Sequence, residues 1–188
     1  KLSSNVSYSK RFAGSPFSLG LNMSHNQDLQ TNVVDLLLPN LSLNMTNIYP
    51  FQSKKGKTGP LDNFSVSYTM NAQNRVTNNL GRMTPTSTTD SIAPFTGGNF
   101  ATFFANGRKG MRHAIPASFS LKALRYLTVS PSVNYDEKWY GEQLTWGYNK
   151  DSLLVKTDTT KGFNRIANYS VSVGLTTRLY GMYYFKKK

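Results

Sequence analysis

A two-residue alternation of apolar and small polar side chains runs through nearly the whole chain, and it restricts the fold more than any other feature. Phe17, Leu19, Leu21 and Met23 alternate with Ser18, Gly20, Asn22 and Ser24. Phe64, Val66, Tyr68, Met70 and Ala72 alternate with Asn63, Ser65, Ser67, Thr69 and Asn71. Leu127, Val129, Val133 and Tyr135 alternate with Thr128, Ser130, Ser132 and Asn134, and Tyr169, Val171, Val173 and Leu175 with Ser170, Ser172, Gly174 and Thr176. The same pattern recurs around Val6, around Leu43, around Ala117 and around Trp146. Successive side chains of a strand point to opposite faces, so each segment predicts a strand with one apolar and one polar face. A helical period is missing throughout, except that Asn99 to Asn106 is expected to form a short turn of helix.

The polar face is unusual. A soluble antiparallel sheet shows water its Lys, Glu and Arg; here the face is Ser, Asn, Thr and Gly. Only 16% of the 188 residues are charged, against about 25% in an average soluble domain, although 22 Lys+Arg against 9 Asp+Glu leave a net charge of +13. The cations concentrate in expected turns: Lys10 and Arg11, Lys54, Lys55 and Lys57, Arg108 and Lys109, Lys122 and Arg125, and Lys186 to Lys188. A nucleic-acid surface would instead interleave cations with stacking aromatics on one face. The pattern therefore argues against nucleic acid as a partner and for lipid phosphates at strand ends. Strands of about ten residues, apolar outward and polar inward with aromatics at their ends, are the sequence signature of an outer-membrane barrel. In lipid every backbone N–H and C=O must be paired, which leaves helices or a closed barrel. The longest aliphatic run is Leu36-Leu37-Leu38, far short of the roughly 20 residues a spanning helix needs.

The expected architecture is all-β, an antiparallel transmembrane β-barrel segment of about 8–10 strands that forms part of a larger barrel. Residues 1–188 then constitute one partial barrel domain, and the strand-like ends suggest a piece of a longer protein. Strand parity assigns each connection to one of two sides. Phe12 to Pro16, Tyr49 to Leu61, Lys122 to Arg125 and Thr177-Arg178 fall on side one. Asn26 to Gln30, Val76 to Arg112 and Asn149 to Gly162 fall on side two. The longest loops share side two, which would be the outer side, since such barrels have short periplasmic turns. This count treats Leu29 to Ile48 as one strand whose apolar phase shifts from Val34, Leu36 and Leu38 to Leu41, Leu43 and Met45 at a β-bulge around Pro39-Asn40. Bulges tolerate Pro and change the phase. A tight hairpin at Pro39-Asn40 is the alternative, and it would reverse the later sides. A second phase shift near Trp139-Tyr140 poses the same choice.

Candidate chemistry is sparse. No cysteine is present, which excludes a disulfide framework, a thiolate metal site and a cysteine nucleophile. His25 and His113 are far apart, so no metal site is expected. His113 lacks a nearby acidic partner in sequence and reads as structural. Asp136 and Glu137 are adjacent on a strand, face opposite ways and cannot share a catalytic centre. Gly97-Gly98 is too short for a phosphate loop. The triplets at Asn5, Asn22, Asn40, Asn44, Asn63 and Asn168 match glycosylation acceptors, but a period-two face of Asn, Ser and Thr generates them by chance. No catalytic, cofactor-binding or metal residue is expected, and the chain is expected not to be an enzyme; its substrate-binding residues are unassigned.

Several blocks carry a family resemblance. They are Tyr8 to Phe12 with Ser15 to Leu19, Leu38 to Asn44 leading to Ile48 to Phe51, and Asn106 to His113 before Ile115-Pro116. Leu127 to Tyr135 before Lys138 to Tyr140, and Thr176 to Gly181, complete the set. In this order they resemble the central barrel region of the lipopolysaccharide-assembly outer-membrane protein LptD family, in its divergent branch. The resemblance implies a cell outer-membrane barrel that translocates lipopolysaccharide and inserts it into the outer leaflet. It also implies a plug lipoprotein of the LptE type and periplasmic bridge proteins as partners, beside outer-membrane lipid. The family's jelly-roll domain and C-terminal aromatic are not recognisable in this sequence, so no functional residue transfers. Two other readings fit the strands alone: another outer-membrane channel or receptor barrel, and a soluble β-sandwich binding carbohydrate or protein. They differ in where the apolar face ends up, exposed as an outer band or buried between two sheets.

Overall fold

In a computed structural model, which describes residues 1–53, 59, 61–81, 88–123, 126–149, 154–178 and 181, the chain forms a single antiparallel sheet. Its elements are β1 (Leu2–Arg11), β2 (Phe17–Gln27), β3 (Val34–Ile48), β4 (Ser65–Thr77), α1 (Phe100–Ala105), β5 (Arg108–Ser118), β6 (Leu121–Ala123), β7 (Leu127–Asn149) and β8 (Leu154–Thr177). Each strand pairs with its sequence neighbour, except that β5 and β6 both line the same edge of β7. Ser118 opposes Ser132, the Phe119 amide donates to the Pro131 carbonyl, and Leu121 opposes Val129, so the register is unbroken. These two are one strand interrupted at residues 119–120, and eight strands occupy seven positions. The sheet does not close on itself. The cation clusters at Lys54, Lys55 and Lys57, at Arg125 and at Lys186 to Lys188 lie outside the described residues.

The register assigns every side chain to a face. One face carries Met23, Leu21 and Leu19 of β2, Leu41, Leu43 and Met45 of β3, and Ala72, Met70 and Tyr68 of β4. It continues through Met111 and Ile115 of β5, Tyr135 and Val133 of β7, and Tyr169 and Val171 of β8. The other face is built from Ser, Asn, Thr and Gly, with hydroxyl pairs such as Ser65 with Ser118 at 2.8 Å and Ser132 with Ser172 at 2.7 Å. This face is less bare of charge than the composition suggests. Arg112 pairs with Asp136 at 2.5 Å in mid-strand, and Arg75 with Asp35 at 3.1 Å near the side-two ends of β4 and β3.

The apolar face is not folded against a second sheet. Val133, Tyr169, Val171, Val173 and Leu175 are all exposed, and the buried hydrophobics among the described residues are Val34, Leu36, Val76 and Phe103. A two-sheet sandwich is therefore not what these residues form.

The strand through Pro39 is continuous. Asn22 opposes Asn40 and Ser24 opposes Leu37, which sets Leu38 and Pro39 against Met23 alone. On the other edge the same two residues oppose Asn74 alone. The extra residue is thus in β3 with respect to both neighbours. Val34 and Leu36 stay on the face that carries Leu41 and Leu43, as a bulge requires. The Leu38-Pro39 peptide is cis. The expected strand from Leu29 is shortened, because Asp28 to Val33 form the β2–β3 turn. The Asp28 amide donates to the Val33 carbonyl at 2.9 Å, and Asn32 takes a positive φ of 56°.

The second phase shift has a different cause. β7 runs straight through Trp139-Tyr140, and the irregularity sets Gly162 and Phe163 of β8 against Gly141. With no extra residue in β7, its apolar row changes face. Glu142 pairs with Arg108 on the polar face at 3.6 Å, and Leu144, Trp146 and Tyr148 follow it there.

This hairpin also corrects the expected loop from Asn149 to Gly162. Leu154 to Lys161 belong to β8 and pair with residues 142–149. The segment Lys156-Thr157-Asp158-Thr159-Thr160-Lys161 has no apolar face to reveal a strand, but its threonines suit an extended backbone. At 23 residues β7 is roughly 75 Å long, at about 3.3 Å per residue. Beyond residue 142 its strand neighbour among the described residues is β8 alone, so the two form a ribbon projecting on side two.

Candidate functional site: where the apolar face ends

Along β7 the apolar face reads Leu127, Val129, Pro131, Val133, Tyr135, and then Glu137. Eight residue steps separate Leu127 from Tyr135, about 26 Å along the strand and about 20 Å along a membrane normal at a tilt near 40°. The first carboxylate on this face therefore stands where an apolar band of membrane height would end. It is one of a cross-strand cluster. Trp139 Nε1 donates to Glu137 at 2.5 Å, the Tyr135 hydroxyl donates to its other oxygen, and the Arg165 guanidinium ion-pairs with it. Arg165 also donates to the Tyr135 hydroxyl at 3.0 Å.

His113 of β5 lies directly across from Glu137. Its ring packs on Trp139 with centroids 4.3 Å apart, and its Nδ1 is 2.7 Å from the Tyr68 hydroxyl of β4. Four strands thus contribute Tyr68, His113, Tyr135, Glu137, Trp139 and Arg165 to one polar belt. A charge on a lipid-side face is costly unless paired, and here each carboxylate oxygen of Glu137 has its donors. The cluster holds an ion pair between aromatic rings, and its one carboxylate is committed to hydrogen bonds.

Asp136 and Glu137 do point to opposite faces, Asp136 to Arg112 and Glu137 to Arg165. His113, read from the sequence as structural, packs between Tyr68 and Trp139. What that reading missed is the acidic neighbour, because Glu137 is 24 positions away and meets His113 only through the register. The detectable signal was the interruption of the apolar alternation at His113, Glu137 and Arg165.

Further toward side two the apolar face is covered. α1 forms at the expected place, and Phe103 packs with Val34, Leu36 and Val76. Asn78, 2% exposed, holds this rim together. Its Oδ1 accepts from the Val34 amide at 2.7 Å, and its Nδ2 donates to the carbonyls of Asn32 at 3.0 Å and Ala93 at 2.9 Å. In the β2–β3 turn, Asp28 accepts from the amides of Gln30 and Thr31, which hold its carboxyl below the usual carboxylate range.

Among the described residues no helix is long and apolar enough to cross a membrane, a statement that leaves strands untouched. The family profile described as LptD protein matches residues 1–188, the whole chain. The chain belongs to the LptD protein family. Membership carries a role in lipopolysaccharide assembly at the level of the family, whose members are non-enzymatic proteins of the outer membrane. Lipopolysaccharide is the substrate with which the family deals. No curated protein and no solved structure matches the chain.

Proposed function

We propose that residues 1–188 are a section of the wall of an outer-membrane barrel through which lipopolysaccharide reaches the outer leaflet. The observation that carries this is the apolar face, continuous across the sheet and left uncovered below the polar belt. Lipid is the medium that stabilises such a face, at about 25 cal/mol per Å² of apolar area removed from water. The Ser/Asn/Thr/Gly face with its Arg75–Asp35 and Arg112–Asp136 pairs lines the lumen. A sugar-phosphate head group passes such a surface without losing its hydrogen bonds, while its acyl chains need a sideways exit. Side two is the cell exterior, since it carries the 78–107 connection and the projecting β7–β8 ribbon. A plug lipoprotein of the LptE type and periplasmic bridge proteins complete the pathway.

Depletion of the full-length protein in cells tests this reading. Lipopolysaccharide is expected to accumulate in the periplasm or inner membrane. Undiminished display at the cell surface after depletion would sink the transport function.

A further inference from the structure

Just beyond the polar belt, on the same apolar face, lies a groove of about 430 Å³. Pro39, Ala72, Met111, Trp139 and Phe163 give it apolar walls, and Lys109 stands at its side-two end. The groove exists because bulk is missing at its centre. Ala72 is small, and Gly141 has no side chain where a Cβ would lie 3.5 Å from that of Lys109. The two irregularities described above shape its margins. The β3 bulge presents Pro39 on one side, and the extra residue of β8 sets Phe163 edge-on to Trp139 on the other, with ring centroids 5.6 Å apart. Ala93 and the α1 residues Phe103 and Phe104 cover the neighbouring Val34, Leu36 and Val76.

Its charge is distinctive. Arg75, Arg108, Arg112 and Arg165 each have a carboxylate partner. Lys109, on the apolar face, has none among the described residues. It lies four residues past His113 toward side two, about 13 Å along the strand and about 10 Å along the membrane normal at a tilt near 40°, so it stands at head-group height while the groove beneath it reaches toward the apolar band. Acyl-chain walls below and an unneutralised cation above complement an anionic amphiphile whose phosphate sits directly over its chains.

We infer that this groove seats the lipid anchor of a lipopolysaccharide molecule on the outer wall of the barrel, with an acyl chain against Met111, Trp139 and Phe163 and a phosphate at Lys109. The inference rests on the reading that the apolar face meets lipid, and adds to it a defined lipid position outside the lumen. A photoreactive benzoylphenylalanine placed at Met111, in the full-length protein in intact cells, tests it against the same probe at Val171 in the bare band. Both positions are expected to crosslink lipid, and Met111 is expected to capture lipopolysaccharide in preference to glycerophospholipid. In that background Lys109→Gln should cut the lipopolysaccharide adduct about fivefold, the worth of one Lys at an anionic lipid surface, and Lys109→Arg should restore it. Ala72→Leu, which fills the groove without touching the charge, should lower it as well; heat-modifiable migration on gels confirms that each variant is folded. Equal capture at the two positions, indifference to Lys109→Gln, or preferential capture of glycerophospholipid at Met111 overturns the groove and leaves the membrane reading standing. Absence of any lipid adduct at both positions overturns both.

Discussion

Val76 and Tyr169 lie on the same face of the same sheet, yet one is 0% and the other 83% exposed. Both come from strands with the same alternation, and both side chains are apolar over most of their surface. What separates them is height. Val76 lies above the Tyr68–His113–Glu137–Arg165 belt, where the face would meet water, and there α1 and its flanking loop cover it. Tyr169 and the row Val171, Val173 and Leu175 lie below the belt and have no protein cover. The chain thus treats one continuous face in two ways: it supplies its own cover at the rim and leaves the band to the surrounding medium. A soluble sheet would have to cover both.

The comparison can be broken most severely at the rim. Phe103→Ala removes the ring that seals Val76 and should cost about 3–5 kcal/mol of stability at the rim, seen as rapid protease cleavage within 78–107 of the membrane-inserted protein. In the band, Val173→Arg should cost about 2–4 kcal/mol as an arginine on the lipid side near mid-height. Ser172→Arg, one residue away on the opposite face, should cost much less. Equal penalties in urea refolding titrations would mean that the two faces do not meet different media. Asn78→Ala leaves the buried Val34 amide and two carbonyls without their partner and should cost about 2 kcal/mol, again at the rim and without effect on the band. The smallest effect is expected at Asp28. Its folded-state pKa is lowered, so its contribution is complete above the ordinary carboxylate range and is lost as the pH falls through the lowered value. Amide protection at Gln30 and Thr31 should therefore weaken only in acid, and Asp28→Asn should remove that dependence.

Much of this fold is legible in the sequence because period two is a local property. The strands, their faces, the β3 bulge and the Phe100–Ala105 helix all follow from spacing and from Pro39. The polar belt does not. Tyr68, His113, Glu137 and Arg165 come from four strands, and only the register brings them together. The β8 half of the ribbon was obscured because Lys156 to Lys161 carry no apolar row and so read as a loop, although Leu144, Trp146 and Tyr148 mark the β7 half. The cover over Val34 and Leu36 was equally invisible, since an alternation says which face is apolar and not what lies against it.

The doubled bulge at Leu38 and Pro39 has a bearing on how this chain can vary. Because the extra residue is extra with respect to both β2 and β4, loss of one residue there would leave the ladders on either side intact. Val34 and Leu36 would then stand an even number of residues from Leu41 and Leu43 and would stay on their face, as a regular strand requires. Leu38-Pro39 is therefore the place where β3 can lose one residue and keep both its rim seal and its band, whereas the β7–β8 ribbon can lengthen or shorten only by matched residues on its two strands.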